Sequence, residues 1–243
     1  MAPSSTPSRT SPTVAEMAAA ISVAPNFDVS RIRGNVPEDD KRRFVSTFAY
    51  FISTREGSYG ADVGQRIRMV EVNVWPGPPS RQFGRGEHNQ MQGAADTENA
   101  EPRESRPEGD NAGTLKGTGY GEAIFELVVE RDMCNVFGTL HGGCAAYIID
   151  PCSSSALVVM GRALGIDGTG VSQSMNLIWH QPAHVGAKLR IVATSMFMHG
   201  RVRTARCELW DGDRLCVSST HSTVNQRNPK SKDKNAPSRP SKL

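Results

Sequence analysis

NVFGTLHGGCAAYIID, from Asn135 to Asp150, decides how the rest of the chain is read. Gly138, Gly142 and Gly143 suit a tight turn and let a ligand come close to the backbone. Ala145, Ala146, Tyr147, Ile148 and Ile149 follow, apolar nearly all round, which predicts a buried helix opening at the glycines. A helix start presents unpaired N–H groups and a partial positive charge, a setting suited to a developing oxyanion. Asp150 is the anomaly, because a carboxylate on a buried helix is costly unless it is paired or used. Gly142 and Asp150 stand about 12 Å apart along such a helix. A single water, reaching about 3 Å to each side, cannot bridge them. If both act on one substrate they come from different chains, with two copies of the helix antiparallel across a two-fold axis. The motif predicts a dimer before any fold is named.

Asn135, Gly138-Thr139-Leu140-His141-Gly142-Gly143 and Asp150, together with Val171-Ser172 and Met175-Asn176, resemble the small hotdog-fold acyl-CoA thioesterases. These are the phenylacetate-degradation type and its eukaryotic medium- and long-chain relatives. The resemblance runs from Glu122 to Val224, with an earlier strand near Arg66–Trp75; HGG alone would be weak, and the combined spacing is what makes it specific. It implies hydrolysis of an acyl-CoA to free acid and coenzyme A in a homodimer, with pairing of dimers into tetramers left open. No cofactor is implied, since coenzyme A is part of the substrate.

Under that resemblance the Gly142 N–H binds the thioester carbonyl oxygen, and Asn135 holds the same oxygen or the water. Asp150, reaching from the partner chain, acts as general base or nucleophile, and Ser172 orients the water or the carboxylate. His141 either shapes the turn or transfers a proton. Coenzyme A contacts fall on Trp179 to His184 and on the turn at His199, Gly200 and Arg201. Arg201 would pair a phosphate, and Trp179 would stack or line the pantetheine groove. Arg203 and Arg206 read as surface charges, and Cys144 as a small packing residue rather than a nucleophile. Two other readings stand beside hydrolysis: an enoyl-CoA hydratase or dehydratase on the same fold, using His141 as proton shuttle, and a non-catalytic acyl-CoA-binding protein.

Composition fits this frame. A chain of 243 residues with 37% hydrophobic content suits one domain plus tails. A net charge of +3 gives no case for nucleic acid. No unbroken apolar run reaches the eighteen or so residues of a membrane span, so none is expected. Five cysteines at irregular spacings, with no CxxC pair and no metal-like grouping with histidine, point to a reduced compartment and no metal site.

Along the chain, residues 1–33 are rich in Pro, Ser, Thr and Ala and are expected to be disordered. Arg9 and the lack of acids before Glu16 suit a mitochondrial leader, but Pro3 and Pro7 interrupt its helix. The hotdog domain is set at 34–225. It opens with an additional helix capped by Asn35, with Pro37 and three acids in its first turn and Phe44, Phe48, Phe51 and Ile52 on one face. Arg66–Trp75 reads as a strand with Val70, Val72 and Val74 on one face. Residues 76–119 are too polar and Gly/Pro-rich to offset ordering entropy and read as a disordered insertion. Then come a strand at Glu122–Glu130, the central helix to Arg162 with a kink at Pro151, and strands at 170–179, 188–199, 201–210 and 215–225. The expected class is α+β: an antiparallel sheet wrapped around one long helix, with an extra N-terminal helix. The basic tail, 226–243, ends in Ser241-Lys242-Leu243, a peroxisomal address; it implies an import receptor as partner and the peroxisome as location, with cytoplasm or mitochondrion as the alternatives.

Overall fold

The computed structural model describes residues 28–52, 59–76 and 119–225. The expected insertion (but for its end residues Pro76 and Gly119), the tail with Ser241-Lys242-Leu243 and most of the N-terminal segment lie outside these residues. The packed structure reaches further back than the boundary at residue 33. Val29–Arg31 forms a 3-10 turn, Ile32 is buried, and Arg33 bridges Glu71.

Six strands form one sheet: β1 (Arg68–Trp75), β2 (Tyr120–Val128), β3 (Val171–Trp179), β4 (Lys188–His199), β5 (Val202–Asp211) and β6 (Arg214–Val224). Their spatial order is β1-β2-β4-β5-β6-β3, and every neighbouring pair is antiparallel. Alternation along each strand puts Ala123, Phe125 and Leu127 of β2, Leu189, Ile191 and Ala193 of β4, and Ala205, Cys207 and Leu209 of β5 on the inner face, all buried. Three helices complete the fold: α1 (Glu38–Phe51), the single turn α2 (Ala61–Gly64) and α3 (Gly142–Leu164). The sheet wraps α3, whose Ala145, Ile148, Ile149, Cys152, Ala156, Leu157 and Val159 are buried. This is the hotdog architecture.

α1 closes the side of the core that the sheet leaves open. Its Phe44, Val45, Phe48 and Ala49 are buried, and the Phe48 ring lies 4.8 Å from that of Phe125. Phe48→Ala should destabilise the fold by about 3–5 kcal/mol, because a fully buried ring leaves a cavity. A denaturant titration showing no shift in midpoint would remove α1 from the core.

Several local expectations change. Asn35 does not cap α1; its amide accepts from Val74 N–H (2.8 Å) and donates to the Val74 carbonyl (2.9 Å), so it extends the edge of β1. A bulge between Met69 and Glu71 resets the alternation of β1, so Met69 and Val72 point inward and Val70 does not share their face. α3 runs through Pro151 as one helix of 23 residues, as the expected course of the central helix requires. By length and composition α3 is also apolar enough to cross a membrane, which a search for unbroken apolar runs overlooks. Here it is the core helix, with 61% of its most apolar window buried inside the protein.

Candidate active site at the two ends of an exposed edge strand

The turn before α3 is braced by Asn135. Its Oδ1 accepts from the N–H of Phe137 (3.0 Å) and of Thr139 (3.3 Å), and its Nδ2 donates to Thr139 Oγ1 (2.9 Å). Gly138 takes a left-handed φ of 74°, which a side chain would strain. Asn135 was expected to hold a substrate oxygen or water; the turn takes its Oδ1 and one hydrogen of its Nδ2, which sets where the helix begins. Val136 and Phe137 stand fully in solvent at the tip.

His141 occupies the N-cap position of α3, and its Nδ1 accepts from Gly143 N–H at 3.0 Å. That bond fixes the ring and takes up the nitrogen nearest the helix start, which favours the shaping role over proton transfer. The first intrahelical bond runs from Ala145 N–H to the His141 carbonyl (2.9 Å), so the N–H of Gly142 lies ahead of the helical ladder. A Cβ on Gly142 would sit 3.5 Å from Cζ2 of Trp179, so the indole covers the helix start. The crossover between β3 and β4 underlies the same turn: Leu140 N–H donates to the Ala183 carbonyl (2.8 Å), and Thr139 bridges His184.

Asp150 stands two turns further along, beside the other end of β3. Ser172 Oγ donates to Asp150 Oδ1 at 3.1 Å, uniting two of the expected residues. A third group, His221 on β6, was not foreseen. It is completely buried, with Nε2 3.1 Å from Ser172 Oγ and 3.6 Å from Asp150 Oδ1, and Nδ1 2.7 Å from Ser153 Oγ. Burial pushes the His221 pKa below its ordinary value, and the Asp150 carboxylate pulls the other way. Ser153 belongs to this cluster.

Strand register separates the two groups of expected coenzyme A contacts. Trp179 lines up with Val217, Leu209 and Ile191, whereas His199 lines up with Val202, Val224 and Val171. Eight strand positions part them, roughly 25 Å at about 3.3 Å per residue. Within one chain Trp179 belongs to the helix start, and the turn at His199, Gly200 and Arg201 belongs to the Ser172 end. Arg201 Nε donates to the Asn225 carbonyl (3.1 Å), which ties that turn to the end of β6. Arg203 is not a surface charge. It is buried, sharing the inner face of β5 with Ala205, and it donates to the carbonyls of Gly200 (2.7 Å), Val202 (3.2 Å) and Asp167 (3.3 Å). It pins the turn at Gly200 to the loop before β3. Burial pushes the Cys144 thiol up to about 11, with Asp132 and Cys134 adding to the shift, so it is a poor nucleophile at neutral pH. Among the described residues no cluster of His, Cys, Asp or Glu could hold a metal ion.

Residues 137–218, which contain the helix start, Asp150, Ser172 and Trp179, match the profile of the thioesterase superfamily. Over that segment, about a third of the chain, the protein is similar to the members of that superfamily. Human acyl-coenzyme A thioesterase 13 is 38% identical over 80 residues, which cover 33% of this chain and 54% of the relative. The mouse protein of the same name is 36% identical over a segment of the same length. The chain thus spans about half the length of the curated relatives it matches. Among solved structures, zebrafish thioesterase superfamily member 2 is 19% identical with a TM-score of 0.48, over 75% of this chain and 98% of that one. Thioesterase superfamily member 2 from Mus musculus is 28% identical with a TM-score of 0.38, over 42% and 74%.

Proposed function

We propose that this protein acts as a member of the thioesterase superfamily and hydrolyses acyl-CoA thioesters at a site shared between two chains. The observation that carries the proposal is the layout of β3. It is an edge strand with no buried residue, and Val171, Ile178 and Trp179 are each more than half exposed. Ser172 and Asp150 lie at one end, and Trp179 over Gly142 at the other. An exposed apolar edge of this kind is a template for pairing with another strand. When β3 pairs antiparallel with its own copy, the Trp179 end of one chain meets the Ser172 end of the other, in two equivalent sites. Gly143, Ala146, Asp150 and Ser154 are all incompletely buried, and their spacing sets them in one line along α3, the line that would face that second copy.

In the shared site, a water beside Asp150 attacks the thioester carbonyl carbon, and its proton passes to the carboxylate. The oxygen becomes an alkoxide held by the Gly142 N–H of the other chain, where the helix dipole favours negative charge. The carbon–sulfur bond then breaks and releases the coenzyme A thiolate, a fair leaving group, as the carbonyl re-forms. Trp179 lines the entrance for pantetheine. The turn at His199, Gly200 and Arg201, which shares the Ser172 end, is placed for the nucleotide. Thus the coenzyme A contacts parted within one chain come together across two.

The test is thiol release from acyl-CoAs of graded chain length. Release with a defined length optimum supports hydrolysis. Binding without release would return the protein to the non-catalytic reading, and water addition to an enoyl-CoA would return it to the lyase one. Import through Ser241-Lys242-Leu243 remains part of the proposal, as the delivery of an acyl-CoA enzyme to the peroxisome.

A further inference from the structure

We infer that His221, backed by Ser153, is a positioning residue that fixes the Ser172 hydroxyl as a donor to Asp150. The inference rests on the hydrolytic reading above and assigns a task to a buried imidazole that this reading leaves unused.

Counting protons carries the argument. A serine hydroxyl has one hydrogen to give, and an ionised carboxylate only accepts. At 3.1 Å from Asp150 Oδ1, the Ser172 hydrogen therefore goes to the carboxylate. Ser172 Oγ must then accept from His221 Nε2, 3.1 Å away, so Nε2 carries the hydrogen. A neutral imidazole protonated there has Nδ1 free to accept, and Ser153 Oγ stands 2.7 Å from it. Donation runs one way, from Ser153 to His221 to Ser172 to Asp150. The Ser153 hydroxyl also has a second acceptor, the Asp150 backbone carbonyl at 3.0 Å. It turns there only when Nδ1 gains a proton of its own, so the Ser153 hydroxyl follows the charge of His221.

The surroundings favour the neutral ring. From α3, His221 faces Ser153 and the Asp150 carboxylate; from β3 it faces Ser172 and its register partner Met175; and its partner on β5 is Ala205. The nearby thiols of Cys152 and Cys207 are pushed up by burial and stay neutral. Arg203, two positions along β5, is spent on backbone carbonyls. With the chain intact, one oxygen of Asp150 is held by Ser172 and the other is left to the water. Without His221, Ser172 turns freely and the carboxylate loses its fixed aim, a change that slows the chemical step without touching substrate.

His221→Leu and His221→Gln, each alone and in a Ser172→Ala background, test this. Loss of a group that orients a reacting residue costs about ten- to a hundredfold. His221→Leu should lower kcat by that amount with KM unchanged, whereas Gln, whose amide N–H reaches the Nε2 position, should restore most of it. In the Ser172→Ala background His221→Leu should cost nothing more, because its effect passes through Ser172. A loss of equal size in both backgrounds, a loss in KM instead of kcat, or wild-type kcat in His221→Leu would overturn the inference. A readout free of turnover covers variants that fold poorly. Nitrogen NMR of the histidine-labelled wild-type protein at neutral pH should show His221 protonated on Nε2 and bare on Nδ1, and the opposite tautomer would overturn the chain of donors. If wild type releases no thiol from any acyl-CoA, the hydrolytic reading fails separately, while the tautomer still decides the hydrogen-bond assignment.

Discussion

Replacing Asp150 by Asn is expected to lower kcat for thiol release by about 10² or more, close to 3 kcal/mol of barrier, while the fold and the proposed dimer persist. The exchange keeps the shape of the side chain and its acceptor for Ser172, whose hydroxyl lies 3.1 Å away, so the carboxamide stays in place. What it loses is the capacity to take a proton from water. The side chain is about half exposed in the single chain (49%), so burial within the protomer is not what holds it. A steady-state assay on the folded variant checks this, and turnover equal to wild type would remove Asp150 from the reaction.

The second large effect concerns a backbone N–H, which few substitutions can delete cleanly. Gly142 allows it. Proline at the first position of a helix is tolerated, since the N–H there has no helical partner. His141, at φ −64° and ψ 135°, already has the extended conformation that a residue before proline prefers. A Cβ at Gly142 meets Trp179 only at 3.5 Å, an ordinary contact. Gly142→Pro should therefore remove the donor with little strain, and loss of one oxyanion donor costs about 10²–10³ in kcat. Gly142→Ala keeps the N–H and should lose far less, separating the donor from added bulk. Equal losses in the two variants would assign the effect to crowding.

Much of this arrangement is legible in the sequence because periodicity is strong. The strand expected at 188–199 is found at Lys188–His199, and the apolar run after Gly142 becomes the core helix. The Asp150–Ser172 pair was implied by the family resemblance, and the structure brings the two side chains together. Failures cluster where a polar residue occupies an inward position. Arg203, Ala205, Cys207 and Leu209 alternate on one face of β5, and Ser219, His221 and Thr223 on one face of β6, yet the charge of Arg203 reads as solvent-facing and His221 lies outside the motif. Their partners, backbone carbonyls for Arg203 and Ser153 for His221, are distant in sequence, so only the fold brings them together. Alternation alone would have placed both inside. The split of Trp179 from His199, Gly200 and Arg201 could not be read at all, since it depends on which strands pair and in what register. The bulge that turns Val70 away from Val72 is equally invisible, because a single extra residue breaks no pattern of composition.

The claim that Asp150 and Gly142 act together across two chains is tested most directly by mixing the two inactive variants. In a heterodimer of Asp150→Asn with Gly142→Pro, one shared site carries both lesions and the other carries neither. Thiol release should recover, toward half the wild-type rate per heterodimer, when the chains are co-expressed with different tags and purified as mixed dimers. If Asp150 and Gly142 served the same site from one chain, every site in the mixture would be broken, and a heterodimer as inactive as its parents would contradict the account.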